Sequence, residues 1–326
     1  MLLAAKTLAA IDSALEADGG ARFRGIQKQT FSELTDAFST KEEGFRRHLG
    51  ASLIGRPCAR DLWYSHHWCK EKKFSGRILR LFNRGHLEEA RFIALLRLIG
   101  AQVWGTADDG RQLRITGASG HFGGSLDSVV LGIPDCPTEP LLAEYKTHGN
   151  KSFTALVSEG VMKAKWEHYV QMNVYAAYHQ LNWCLYLAVN KDTDALHAEL
   201  IEVDPQVVAR YHQRAEDIVF APEPPGRLNE SPAWYQCKYC DHHKMCHDFE
   251  YPEVNCRTCA HSTPIENGKW KCEKKSITIP DSMEACSSHI FNPSILNGIE
   301  VVEANMAENW MIFRRKDGTL VDTREK

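Results

Sequence analysis

The sequence predicts an α/β protein: a mixed central sheet flanked by helices, with a small cysteine-rich metal module towards the C-terminus. Three observations predict it. Between 101 and 203, short apolar or alternating runs (AQVWG, RQLRITG, HFGGSLDSVVLGI, PLLAEYKT, NWCLYLAVN, ALHAELIEV) are punctuated by glycine, as strands of one sheet are. Segments of helical spacing stand before and between them, at 85–99, 164–181 and 206–220. Beyond 222–225 the composition turns to cysteine, histidine and turn residues, so that end buries little core and needs cross-links.

The composition, 43% hydrophobic and 25% charged over 326 residues, is that of a globular chain and excludes a disordered tail or a fibrous repeat. Lys plus Arg is 39 against 42 for Asp plus Glu, a formal charge of −3, so any contact with nucleic acid must be local. No apolar run approaches the roughly 18 to 20 residues of a membrane span. Lys6 and Asp12 interrupt the opening too early for a secretory leader, and the expectation is a soluble cytoplasmic protein without a membrane partner. In a reducing compartment, 11 cysteines point to metal rather than to disulfides.

Taken in order, residues 1–50 read as a helical extension broken at Gly19 and Gly20, a peripheral cap. From Arg56 to Arg97 ten basic residues face four acidic ones, interleaved with Trp63, Tyr64, Trp68, Phe74 and Phe82. Charges meet phosphates and aromatic faces stack on unpaired bases, so this stretch is the candidate nucleic-acid surface, with Arg77, Arg80 and Arg84 as its contacts. Trp63 and Tyr64 are expected to pack around a metal cluster instead. Leu87, Ala90, Ile93 and Leu96 mark a helix that stops at Gly100. Asp317 and Gly318, between two alternating runs, predict a hairpin. The expected division is an extension over 1–50, a core over 51–250, a metal module over 251–295 and a hairpin tail over 296–326.

The chemistry concentrates in one strand. Alternate side chains share a face, so Glu144 and Lys146 project together while Tyr145 turns away. With Asp127 upstream, two carboxylates can hold Mg²⁺ or Mn²⁺ against a phosphate, and an ammonium beside them can orient water and offset developing charge. His86, directly after Gly85, is a candidate further ligand. Gln171 and Tyr175, four apart, share a helix face and can hold a nucleic-acid backbone or buttress the site. The bland reading is a chance coincidence of charges, with Tyr175 in the core stripe beside Tyr178.

This ordered set, Gly85-His86, Asp127, Glu144-x-Lys146 and Gln171-x-x-x-Tyr175, resembles the PD-(D/E)xK nuclease superfamily over residues 50–250. The likeness is to its RecB-like branch, which includes the CRISPR adaptation nuclease and phage exonucleases. The resemblance implies a restriction-endonuclease-like core with His86, Asp127 and Glu144 as metal ligands, the main-chain carbonyl of Tyr145 as a further one, and Lys146 as catalytic.

Cys237-x2-Cys240-x5-Cys246 lacks a fourth thiolate, for which Cys58 is the candidate and Cys69 a weaker substitute. One early cysteine and three clustered late ones around such a core resemble the iron-sulfur nucleases of this branch, which implies a 4Fe-4S cluster as a structural staple; zinc is the rival occupant. Cys256-x2-Cys259-x12-Cys272-x13-Cys286 resembles a zinc ribbon, with His261 and His289 as possible replacements. Cys184 reads as a small core residue, and Cys136 shows no partner spacing.

The expected activity is Mg²⁺- or Mn²⁺-dependent hydrolysis of DNA phosphodiesters, exonucleolytic on single-stranded or end-resected DNA, in recombination or repair in a bacterium or phage-infected cell. A recombination or single-strand-binding protein is a conceivable partner. The alternatives are a catalytically silent DNA-binding scaffold and a redox-sensing iron-sulfur regulator; an intact Asp127, Glu144 and Lys146 set argues against the scaffold.

Overall fold

The computed structural model describes residues 1–38, 45–107 and 110–325. Among them, six strands form a central mixed sheet in the order Leu2–Leu3, Leu196–Glu202, Trp183–Asn190, Leu141–His148, Ser128–Leu131, Gln102–Trp104. Leu141–His148 and Trp183–Asn190 run parallel, with Glu144 opposite Tyr186; the other neighbours are antiparallel. A parallel neighbour demands a crossover, which the helices Asn150–Glu159, Val161–Ala164 and Trp166–Tyr178 supply.

Both faces of the two central strands are buried, which is why they read as nearly continuous apolar runs. Leu142, Cys184, Tyr186 and Ala188 pack into one core with Val170, Val174 and Ile218 from the helices Trp166–Tyr178 and Pro205–Val219. Leu141, Ala143, Tyr145, Leu185 and Leu187 pack into the other, with Phe92, Ile93 and Leu96 of the helix Gly76–Leu98. This alternation carries Glu144 to the Leu142 face, beneath Trp166–Tyr178, and stacks Tyr145 on Phe92 with ring centroids 5.3 Å apart.

The helix predicted from 85 starts at Gly76. Periodicity reports burial, and the buried residues of this helix begin at Ala90; its first turns leave Leu79, Leu81 and Phe82 exposed and so carry no stripe. The strands predicted as one sheet also divide. Arg114–Gly117 and Phe122–Ser125 pair with Leu49–Gly50 in a separate small sheet, and the chain returns to the central one only after Asp127. Residues 1–50 do more than cap: Leu2–Leu3 forms an edge strand against Glu199 and Leu200, and Ala4 and Ile11 are buried.

In the cysteine-rich end, Ser262–Pro264, Trp270–Cys272 and Ile277–Thr278 form one small sheet. The predicted hairpin at Gly318 (φ +87) is present, and Ile299–Asn305 adds a strand that makes the tail a meander. Arg257 anchors this end to the core: it is buried, lies 4.1 Å from the Trp68 ring and 5.0 Å from the Trp270 ring, and donates to His66 O and Arg47 O at 2.8 Å each. No helix among the described residues is long and apolar enough to cross a membrane.

Candidate active site and cysteine sites

Glu144 is fully buried, and its Oε1 accepts from Lys146 Nζ and, at 2.8 Å, from Gln171 Nε2. Its Oε2 is buried with no hydrogen-bond partner among the described residues. Such an orphan costs about 1–3 kcal/mol and marks a place where something else belongs. Asp127 stands at the entry to Ser128–Leu131, and its Oδ2 accepts from the Tyr145 backbone N–H at 2.8 Å. Burial, then the charge of Asp127, pushes the Glu144 carboxyl up to about 7 against the opposing pull of Lys146 and Gln171. Burial acts to lower Lys146, but Glu144 and Asp127 outweigh it and raise the ammonium above its ordinary value, so it is a cation at neutral pH. Two adjacent carboxylates, one with a spare oxygen, fit a hard divalent cation such as Mg²⁺ or Mn²⁺.

The remaining residues of the predicted set lie in different surroundings. Tyr175 is buried, and its hydroxyl is raised by burial first and then by Glu144 and Asp127. Gly124 makes room for it, since a Cβ there would overlap that hydroxyl. The Tyr145 side chain turns away to the opposite face, where its hydroxyl meets Ser128 Oγ at 2.6 Å. His86 lines a cavity of about 380 Å³ with Glu89, Phe82 and Lys146, between the helix Gly76–Leu98 and the strand Leu141–His148. Arg77, Arg80 and Arg84 are exposed on that same helix, at spacings that share one face. Among the described residues, the set of three candidate ligand atoms within 4.8 Å of one another is Asp61, Cys240 and His242; His86, Asp127 and Glu144 are not drawn that close.

Cys58, Cys237, Cys240 and Cys246 line one cavity of about 210 Å³. Cys58 caps the helix Ala59–His66, its sulfur accepting from the Asp61 N–H at 3.4 Å. Beside the cavity, Asp61 Oδ1 lies 3.2 Å from Cys240 Sγ and 2.8 Å from His242 Nδ1. Burial acts to raise Asp61, but His242, Cys240 and Arg56 hold its carboxyl well below the usual carboxylate range. Sequence reasoning brought the two segments together through their cysteines but missed Asp61 and His242, which lie within three residues of those cysteines and outside the spacing that pointed to them. Tyr64 lines the cavity, whereas Trp63 donates to Ala221 O at 2.9 Å and stacks on His67. Of the aromatics in the basic stretch, Trp63, Tyr64 and Trp68 are buried, while Phe74 and Phe82 are exposed and meet edge to face at 5.0 Å.

Cys256, Cys259, Cys272 and Cys286 line a second cavity, of about 20 Å³, with His261 and His289. Both cavities exceed the roughly 10–15 Å³ that one water-sized body needs. In neither set do three sulfurs lie within 4.8 Å of one another among the described residues. A cubane, which binds each cysteine at a different corner, tolerates that spread; a zinc ion holds its sulfurs about 3.8 Å apart and requires the second set to contract. Cys69 is buried and does not line the first cavity, Cys184 is a core residue with Sγ 3.7 Å from Met172 O, and Cys136 packs against the edge of the second core. No disulfide joins the cysteines among the described residues.

No family model and no curated protein matches the sequence. Solved structures are similar to parts of it. The protein SSO0001 aligns at 15% identity and a TM-score of 0.36, over 67% of this chain and 93% of that one. The alkaline exonuclease LHK-Exo from Laribacter hongkongensis aligns at 16% and 0.38, over 58% of this chain and 90% of its own. The same exonuclease in complex with dAMP aligns at 16% and 0.37, over 53% and 86%.

Proposed function

We propose that this chain is a Mg²⁺- or Mn²⁺-dependent nuclease of the PD-(D/E)xK kind, with a restriction-endonuclease-like core. It would hydrolyse DNA phosphodiesters as an exonuclease on single-stranded or end-resected DNA, in recombination or repair. The observation that carries this reading is the Glu144 carboxylate, buried beside Asp127 with one oxygen gripped by Lys146 and Gln171 and the other unspent. A divalent ion bound by Asp127 and Glu144, with His86 and the Tyr145 carbonyl as further ligands, would supply Lewis acidity and a more acidic water.

The chain's own side chains do the rest. Lys146 holds a positive charge beside the carboxylates, where it orients the attacking water and offsets charge on the phosphate. Gln171 fixes one oxygen of Glu144, and Tyr175 packs buried against Gly124. Arg77, Arg80 and Arg84 would grip strand phosphates. Cys58, Cys237, Cys240 and Cys246 would carry a 4Fe-4S cluster that ties two segments about 180 residues apart, removing loop-closure entropy from the unfolded chain. Cys256, Cys259, Cys272 and Cys286 would hold zinc.

The test is cleavage of end-labelled single-stranded DNA by the purified protein with Mn²⁺. Cleavage is expected in the intact protein and lost in Lys146→Ala and Glu144→Gln with DNA binding retained. An intact, folded, metal-replete protein that binds DNA and does not cut it supports the scaffold instead.

A further inference from the structure

Glu144 and Lys146 share their strand face with His148, two positions on, and the neighbouring strand brings Tyr186 opposite Glu144. Beyond them runs a chain of polar contacts that the acidic centre does not use. Lys165 Nζ lies 2.6 Å from Ser152 Oγ, and Ser152 Oγ lies 3.1 Å from His148 Nδ1. His148 Nε2 lies 2.8 Å from the Tyr186 hydroxyl, which lies 2.9 Å from His168 Nδ1. His168 stands three residues before Gln171, on the same face of the helix Trp166–Tyr178.

The direction of this chain follows from its first member. An ammonium only donates, so Ser152 accepts from Lys165 and spends its own hydrogen on His148 Nδ1. His148 is then protonated on Nε2 and donates to Tyr186, whose hydrogen goes to His168 Nδ1. That leaves His168 protonated on Nε2, and Lys165 with two N–H groups unspent. Both ends of the chain therefore present donors. Burial, then the nearby lysines, lowers His148 to about 4 and His168 to about 3, so both rings are neutral at pH 7, as a fixed tautomer chain requires. Among the described residues no carboxylate pairs with Lys165. The buried acid of the strand Leu196–Glu202, Glu199, is occupied by the Val161 N–H at 3.0 Å and by His197 at 3.5 Å. Lys165 and His168 are half-buried, so these donors are open on one side.

We propose that Lys165 and His168, with Ser152 as the positioning link between Lys165 and His148, form a phosphate-binding subsite next to the acidic centre, holding a phosphate of the bound strand adjacent to the one that is cut. The identity of the ligand rests on the nuclease reading. Lys165 and His168 stand three residues apart at the start of the helix Trp166–Tyr178, so an ammonium and an imidazole N–H share one face, a pair that suits a phosphate oxygen, and Tyr186 links them to the Glu144, Lys146, His148 face and the proposed chemistry. His148 and Tyr186 are positioning residues that set the tautomer of His168.

The test uses the full chain without added Mg²⁺ or Mn²⁺. Inorganic phosphate titrated against histidine-labelled protein is expected to shift the ring signals of His148 and His168, identified from His148→Gln and His168→Gln. The shift is expected to vanish in Lys165→Met and to survive in Lys165→Arg. Binding of a fluorescent single-stranded oligonucleotide is expected to weaken about tenfold in Lys165→Met, with the slope of log affinity against log salt falling by about 0.7. A loss confined to oligonucleotides with a terminal phosphate assigns the site to a strand end, and an equal loss without it assigns an internal phosphodiester. No ring shift with phosphate in the intact protein, or unchanged oligonucleotide binding in Lys165→Met, overturns the subsite. These readouts need no cleavage: phosphate binding without metal-dependent cutting would leave the subsite standing and sink the nuclease reading, and cutting with unchanged binding would do the reverse.

Discussion

Gln171 Nε2 donates to Glu144 Oε1 at 2.8 Å across 27 positions of sequence, on the same oxygen that Lys146 holds. Gln171→Leu removes that donor and leaves the carboxylate orientation to Lys146 alone. Mn²⁺-dependent cleavage is expected to fall about 10- to 100-fold with the fold intact, as losing a group that orients a metal ligand does. Unchanged rates would detach Gln171 from the site.

Gly124 and Tyr175 form a second coupled pair. Gly124→Ala drives a methyl into the Tyr175 hydroxyl, and urea unfolding is expected to show a loss of about 1–3 kcal/mol. Adding Tyr175→Phe relieves the closest overlap but not the ring carbons behind it, so recovery is expected to be partial. A double-mutant cycle reads the coupling, and purely additive losses would contradict the contact.

Arg257 should hold the cysteine-rich end to the core. Arg257→Met keeps the bulk between Trp68 and Trp270 but leaves the carbonyls of His66 and Arg47 without their donor. The expected cost is about 3 kcal/mol. Limited proteolysis should then cut within 251–295 faster than in the wild type; equal digestion rates would place the anchor elsewhere.

His67 gives the molecule an acid limit. It is buried, its Nδ1 lies 3.0 Å from Trp63 O, and burial, more than offsetting that bond, lowers it from 6.5 to about 3, with Arg257 adding to the fall. The unfolded ring binds a proton that the folded ring refuses, so stability is complete above pH 6.5 and falls as pH drops towards 3, by about 1.4 kcal/mol per unit. In melts from pH 4 to 7, His67→Phe, which preserves the stack on Trp63, should flatten this slope by one proton's worth. Parallel slopes would contradict it.

The two cysteine sets should part by metal. Under anaerobic purification the intact protein is expected to carry about four irons and one zinc with absorption near 400 nm. Cys58→Ser should lose iron and colour while keeping zinc, and Cys259→Ser should do the reverse. Both metals lost in either variant would mean that the sites do not form independently.

Much of the local order was legible in residue order alone. Strand alternation puts Glu144 and Lys146 on one face and Tyr145 on the other, because the period of a pleated strand does not depend on what surrounds it. The buried part of the helix Gly76–Leu98, the central strands and the Gly318 turn follow from patterns within a dozen residues. Its exposed first turns escaped, because an unburied helix has no apolar stripe to betray it.

Tertiary structure alone decided which side chains touch. That Oε2 of Glu144 is left unpaired, that Asp61 and His242 flank one cysteine cavity, that Arg257 is clasped by Trp68 and Trp270, and that Lys165 to His168 runs as one donor chain are all contacts between separate elements. Spacing within a strand or helix is set by backbone geometry and can be read from order. Encounters between elements are set by how two buried sheet faces and their helices pack, and no local period encodes that.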